Sequence, residues 1–145
     1  MLNTVLVAVD HAPTANRVLD SLGDLNLPVH CRLVLAHAMT PPDFDTPLDV
    51  PGNGDEVSIF QDIEHFFDAL TKDLPYPVER EVVMGDPADE ILRLARIYKA
   101  DLIIIGSRGL KGVERVLKGS VSSQVVAESW CSVLVVKLDR TASSL

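Results

Sequence analysis

The chain has 145 residues with 47% hydrophobic content, which calls for a single folded domain over 1–145 and excludes a disordered chain. A formal net charge of −8, from 21 acidic against 13 basic residues, excludes general binding to nucleic acid or an anionic membrane, because the long-range field repels a polyanion. No apolar run approaches the roughly 20 residues that span a bilayer, and the start MLNTVLVAVD lacks the pattern of a secretory leader, so a cytoplasmic protein without membrane insertion is expected.

Thr4 to Val9, TVLVAV, is an apolar run of strand length that ends at Asp10. Pro13 to Asp24 then sets Val18, Leu19 and Leu22 at helical spacing, and Pro28 interrupts the chain. Cys31 to Ala38, CRLVLAHA, reads as the second strand. Thr40 to Asp55 carries four prolines and four aspartates without apolar periodicity, and loops of such length in a compact domain are often functional. Glu56 to Lys72 spaces Ile59, Phe60, Ile63, Phe66, Phe67 and Leu70 three and four apart, a helix with one apolar stripe whose phenylalanines belong to the core.

Pro77 to Met84 gives the third strand. The next helix has the clearest start: Asp86 as N-cap, Pro87 at the first helical position, and Asp89 and Glu90 where the helix dipole favours acids. Ile91, Leu92, Leu94, Ala95 and Ile97 are its expected buried face. Asp101 to Ile105, DLIII, is the fourth strand, Ser120 to Ser129 the fourth helix, and Ser132 to Lys137, SVLVVK, the fifth strand; 138–145 is a tail. Five apolar strands alternating with four helices predict an α/β fold, a parallel sheet covered on both faces by right-handed crossovers. In such folds ligands bind beyond the carboxyl ends of the strands, where the strand order reverses.

Cys31 and Cys131 are far apart and outside any C-x-x-C pair, so both read as buried small hydrophobes. His30, His37 and His65 lack metal-ligand spacing, and His37 at the end of the second strand reads as a satisfied structural histidine. Trp130, just before the last strand, is either core or interface. No G-x-S-x-G elbow follows a strand, and no residue stands out as a general base, so no catalytic residue is assigned.

After the first strand DHAPTAN holds no glycine, which removes the dinucleotide fingerprint from its required place, and the G-x-x-x-x-G-K-[ST] loop is also missing. Between the fourth strand and fourth helix stands a different device: Gly106, Gly109, then Gly119 and Ser120, a G-x2-G-x9-G-S spacing. Arg108, Lys111, Arg115 and Lys118 cluster there against one acid, Glu114, fitting either a solvated face or an anion site. A helix starting near Ser120 presents unpaired N–H groups and a positive dipole end; Gly119 permits close approach, and Ser120 and Ser122 can donate hydroxyl hydrogen bonds.

This spacing, its place in the chain, the VAVD opening, the LAHA strand and the GDPADEIL helix start resemble the universal stress protein family, over about Thr4 to Lys137. The resemblance implies a three-layer flavodoxin-like fold of the adenine nucleotide alpha hydrolase-like kind, strand order 3-2-1-4-5, a homodimer and bound ATP. By similarity, Gly109, Gly119, Ser120, Val121 and Ser122 hold the phosphates, with Gly106 and Arg108 in the same loop. Asp10 is placed near the ribose and a nucleotide-bound Mg ion. Ala8, Val9, Ala38, Met84 and Gly85 border the adenine, with backbone near Ala38 reading its polar edge.

Ala38 stands where the family usually has valine, and His11 and Ala12 where glycine and serine often follow the aspartate; this keeps ADP, AMP and cAMP open as ligands. The expected function is an ATP-binding sensor module in stress response, acting through a dimer and an unknown protein partner. Alternatives are a slow ATPase or self-phosphorylating enzyme using Ser120 or Ser122, a cyclic-nucleotide binder, and a nucleotide-free adaptor. The Thr40 to Asp55 segment is expected to form a mobile flap or partner surface beside the nucleotide. If SVLVVK is the sheet edge, pairing with its own copy about a two-fold axis would cover it.

Overall fold

The computed structural model describes residues 2–10, 12–39, 53–107 and 121–137. Its elements are β1 (Thr4–Ala8), α1 (Ala12–Leu25), β2 (Arg32–Met39), α2 (Asn53–Thr71), β3 (Val78–Met84), α3 (Pro87–Tyr98), β4 (Leu102–Ser107), α4 (Val121–Glu128) and β5 (Ser132–Lys137). The strands form one parallel sheet in the order β3-β2-β1-β4-β5, as the sequence predicts. The alternation of strands and helices puts a helix between successive strands, and those helices cover both faces.

Side-chain alternation along the central strands divides the core in two. Val5, Val7, Leu33, Leu35 and Ile104 face α1 and α2, where Val18, Leu22 and Phe67 meet them. Leu6, Val34, Ala36, Ile103 and Ile105 face the other way, against Ile91, Leu92 and Ala95 of α3 and Val125 of α4. The result is a three-layer, flavodoxin-like arrangement. Leu6, Leu33, Ile103 and Phe67 lose all solvent contact, and each such side chain contributes about 1.5–3 kcal/mol by burial.

α3 starts as its sequence predicts. The Asp86 carboxylate accepts the Asp89 N–H at 3.0 Å, with Pro87 in the first turn. Its buried face differs at one position: Ile97 is 58% exposed, and Tyr98 packs against the core instead. Ile97 lies off the stripe through Ile91, Leu92 and Ala95, whereas Tyr98 is one turn beyond Leu94 and Ala95. Tyr98 also donates its hydroxyl to the Glu81 carboxylate on β3, while the Arg32 guanidinium lies 5.3 Å from the ring centroid and pairs with Glu79 at 2.9 Å. This polar cluster ties α3 to β2 and β3. The bond to Glu81, with burial adding to it, pushes the phenol up to about 12.

Element ends otherwise agree within two residues, except that α2 begins at Asn53 rather than Glu56. The Asn53–Asp55 turn adds no apolar face, so apolar periodicity could not register it. β5 is the outermost strand next to β4, as expected of SVLVVK. Cys31 is fully buried, and burial raises its thiol pKa, with the Asp101 charge adding to the effect; Cys131 is only half-buried. Trp130 is 84% exposed, which removes the core alternative for it. Among the described residues, no helix is long and apolar enough to cross a membrane. Of the loop or flap expected at 40–55, residues 53–55 instead form the start of α2, while 40–52 and the tail at 138–145 lie outside the described residues.

Candidate functional site

The strand order reverses between β1 and β4: β2 and β3 follow on one side of β1, β4 and β5 on the other. At this reversal β1 stops short. Ala8 pairs with Ala36 of β2 and Ile105 of β4, yet β2 runs on through His37, Ala38 and Met39, and β4 through Gly106 and Ser107. A notch therefore opens over the end of β1. Its floor is the Val9-Asp10 turn, and its walls are backbone of the two longer neighbours.

The hydrogen-bond register gives one wall its chemistry. The Arg32 N–H donates to Asn3, and the Ala36 carbonyl accepts from the Val9 N–H at 2.9 Å, so even-numbered residues of β2 direct their backbone toward β1. Leu33 and Met39, by contrast, bond toward β3. The next even residue is Ala38, whose N–H and carbonyl face the notch. Among the described residues no main-chain partner meets them there. One donor and one acceptor, side by side on a rigid strand, can read the polar edge of a planar ring.

The surrounding side chains are small or turned to solvent. Ala8 and Ala38 are half-buried and small, and Val9 is buried beneath the turn. Met84 is 56% exposed at the end of β3, and Gly85 follows it with φ 144°, its N–H donating to the Met39 carbonyl at 2.9 Å. That backbone conformation suits glycine, and a Cβ here would come within 3.2 Å of the Glu90 side chain. Asp10 stands half-buried at the mouth.

α4 runs back against the direction of the strands, so its first turn lies at the same end of the sheet. Gln124 of α4 contacts Asp89 in the first turn of α3 at 3.4 Å. Val121 opens α4, and Ser122 beside it is 6% exposed. The N–H groups of this first turn lack helical acceptors and favour an anion. Gly106 is a buried β4 residue at the notch. The fold thus gathers Ala8, Val9, Asp10, Ala38, Met84, Gly85, Gly106, Val121 and Ser122 at the carboxyl end of the sheet. Arg108, Gly109, Gly119 and Ser120 lie outside the described residues.

Two further residues belong to this geometry. His37 Nδ1 lies 3.0 Å from the Val9 carbonyl; with its hydrogen on Nδ1 the ring donates and braces the turn that carries Asp10. Ser107 extends β4 past β1, a continuation that Gly106 hid in the sequence because glycine is a poor strand former.

Comparison with known proteins agrees with the fold and with the family resemblance. Over 143 residues the chain is 34% identical to a universal stress protein of Thermus aquaticus, covering 94% of this chain and all of that one. A universal stress protein of Methanocaldococcus jannaschii is 47% identical over 60 residues, 41% of this chain and 35% of the relative, so this match spans about a third of that protein's length. A solved universal stress protein in complex with cAMP superimposes with a TM-score of 0.71 at 26% identity, covering 95% of this chain and 98% of that one. The family description "Universal stress protein family" matches residues 1–137, and with nearly the whole sequence accounted for in this way, the chain belongs to the universal stress protein family.

Proposed function

We propose that this chain binds ATP in the notch at the end of β1 and acts as a nucleotide-dependent regulatory module in stress response. The observation that carries this reading is the early end of β1 between two longer neighbours at the strand-order reversal, which exposes the Ala38 backbone to a ligand. Adenine would lie among Ala8, Val9, Ala38, Met84 and Gly85. Asp10 would meet the ribose and a magnesium ion carried by the triphosphate, whose charge would offset part of that of the phosphates.

The first turn of α4, with Val121 and Ser122, would receive the phosphates. By residue type, the glycine-rich sequence through Gly106, Arg108, Gly109, Gly119 and Ser120 would allow close approach and add positive charge for them. The solved relative in complex with cAMP supports an adenine nucleotide as the class of ligand. It also favours a second reading, cAMP in the same notch, because the small Ala38 leaves the base loosely held.

β5 is a sheet edge with half-buried Val133, Leu134, Val135 and Val136, and we assign it to a homodimer formed by pairing Ser132–Lys137 with its own copy. The dimer would carry the nucleotide state to an unknown protein partner, in the cytoplasm. Slow hydrolysis or self-phosphorylation gains no support from a residue placed as base.

Calorimetric titration with ATP and magnesium, ADP, AMP and cAMP tests the proposal. ATP should bind, and Asp10→Ala or the pair Gly119→Ala and Ser120→Ala should weaken it at least tenfold. Binding of none of the four ligands would refute it. Sedimentation should find a dimer at micromolar concentration.

A further inference from the structure

At the opposite end of the sheet, where the strands begin, α3's last turn and the segment before β5 enclose a groove of about 410 Å³. Leu92, Ala95 and Ala100 give it an apolar floor. Ser129 shapes its other wall: its Oγ accepts the Cys131 N–H at 3.1 Å and lies 3.0 Å from the Cys131 carbonyl. This closed turn holds Trp130 outward, 84% exposed, as a fixed apolar rim.

The charge on this groove is opposite in sign to that of the chain as a whole. The chain carries −8 overall, yet the charged residues lining the groove are Arg96 and Lys99, both cations. Arg32, Arg80 and Arg93 each pair with a carboxylate. Arg96 instead lies over the Trp130 ring at 5.3 Å, and among the described residues neither Arg96 nor Lys99 has an acid within ion-pair distance. Helix capping does not absorb both charges. The Ala95 and Arg96 carbonyls already accept the Ala100 and Lys99 N–H groups at 2.9 and 3.2 Å, and a helix end carries only roughly half a negative charge.

We infer that this groove docks an acidic peptide segment of a partner protein, with an apolar side chain of the segment on the floor and its carboxylates on Arg96 and Lys99. The arrangement has the parts of a small recognition site: an aromatic anchor stacked with arginine, an apolar pocket and unpaired donors of one sign. A guanidinium already oriented by the indole loses little freedom on meeting a carboxylate. A second copy of the chain already has its place on the β5 edge under the proposed function, which leaves this groove to a different partner.

Trp130 is the sole tryptophan, so its emission reports on this groove alone. The probe is a blocked nine-residue peptide alternating aspartate with leucine around a central phenylalanine, titrated against the full chain beside versions with lysine for aspartate or serine for the apolar residues. The acidic apolar peptide should give a saturable emission change. The double variant Arg96→Glu and Lys99→Glu, its fold checked by circular dichroism, should bind at least tenfold more weakly. Trp130→Ala, followed by calorimetry, should show a similar loss. Absence of saturation at millimolar peptide, or equal binding of the lysine or serine versions, would overturn the inference. So would a dimer that the double charge variant dissociates, because the occupant would then be a second copy.

Discussion

Asp101 and Thr4 hold each other through a reciprocal pair of hydrogen bonds: the Thr4 N–H donates to the Asp101 carboxylate at 3.0 Å, and the Asp101 N–H donates to the Thr4 carbonyl at 2.8 Å. Asn3 adds a second backbone donor to the same carboxylate oxygen at 2.8 Å. These bonds clamp the starts of β1 and β4, the two strands that flank the order reversal. The register they hold is the one from which the notch at the other end follows.

The clamp makes stability depend on acid in a definite direction. The N–H groups of Asn3, then Thr4, hold the Asp101 carboxyl below its ordinary value of 3.8 in the folded chain. Its stabilisation is therefore complete above that value and is lost as pH falls through the lower folded value. Asp101→Ala should cost about 1–3 kcal/mol near neutral pH, measured by urea unfolding. The gap between variant and parent should narrow as pH falls below 3.8. A gap that widens in acid would contradict the assignment.

Tyr98 gives the opposite limb. The unfolded chain ionises its phenol near 10, whereas Glu81 keeps the folded phenol protonated to about 12. Between these values the unfolded state binds fewer protons, so stability falls as pH rises through the window. Tyr98→Phe should remove this alkaline dependence, and the absorbance step near 12 in a spectrophotometric titration should disappear with it. The same variant should lose about 1–2 kcal/mol of stability near neutral pH.

At the site, Gly85→Ala should destabilise by about 1–2 kcal/mol, since φ 144° strains any L side chain and the new Cβ presses on Glu90. Glu90 would have to shift, loosening its 2.7 Å contact with Arg93. Unchanged thermal stability in this variant would mean that the turn relaxes freely.

His37→Ala removes the donor to the Val9 carbonyl, a bond whose net contribution is about 0.5–1.5 kcal/mol. Because Val9 carries Asp10, nucleotide affinity should fall a few-fold as well, read by calorimetry. His37→Asn, which can still donate to a nearby carbonyl, should recover part of both. Loss of stability with full affinity would confine His37 to the fold.

Much of this architecture was legible in the residues. Strands such as TVLVAV and DLIII are apolar on both faces, which only a covered parallel sheet explains, and the Asp86-Pro87 start marked α3. The early end of β1 was not legible, because it depends on how far β2 and β4 overrun a neighbour. Local sequence carries no such register. Ile97 was misread because its hydrophobicity suggested burial, although Tyr98 has the better angular position and a polar partner in Glu81. The groove under Trp130 joins residues some thirty positions apart, Leu92 to Ala100 with Ser129 to Cys131, and only folding brings them together.

The most direct test of the nucleotide reading is to denature the purified protein and identify and count the released small molecules by liquid chromatography and mass spectrometry. Close to one ATP for each chain is expected, lost when Gly119→Ala and Ser120→Ala are combined. No released nucleotide, together with no uptake of added ATP and magnesium, would contradict it and leave the notch as an inherited shape.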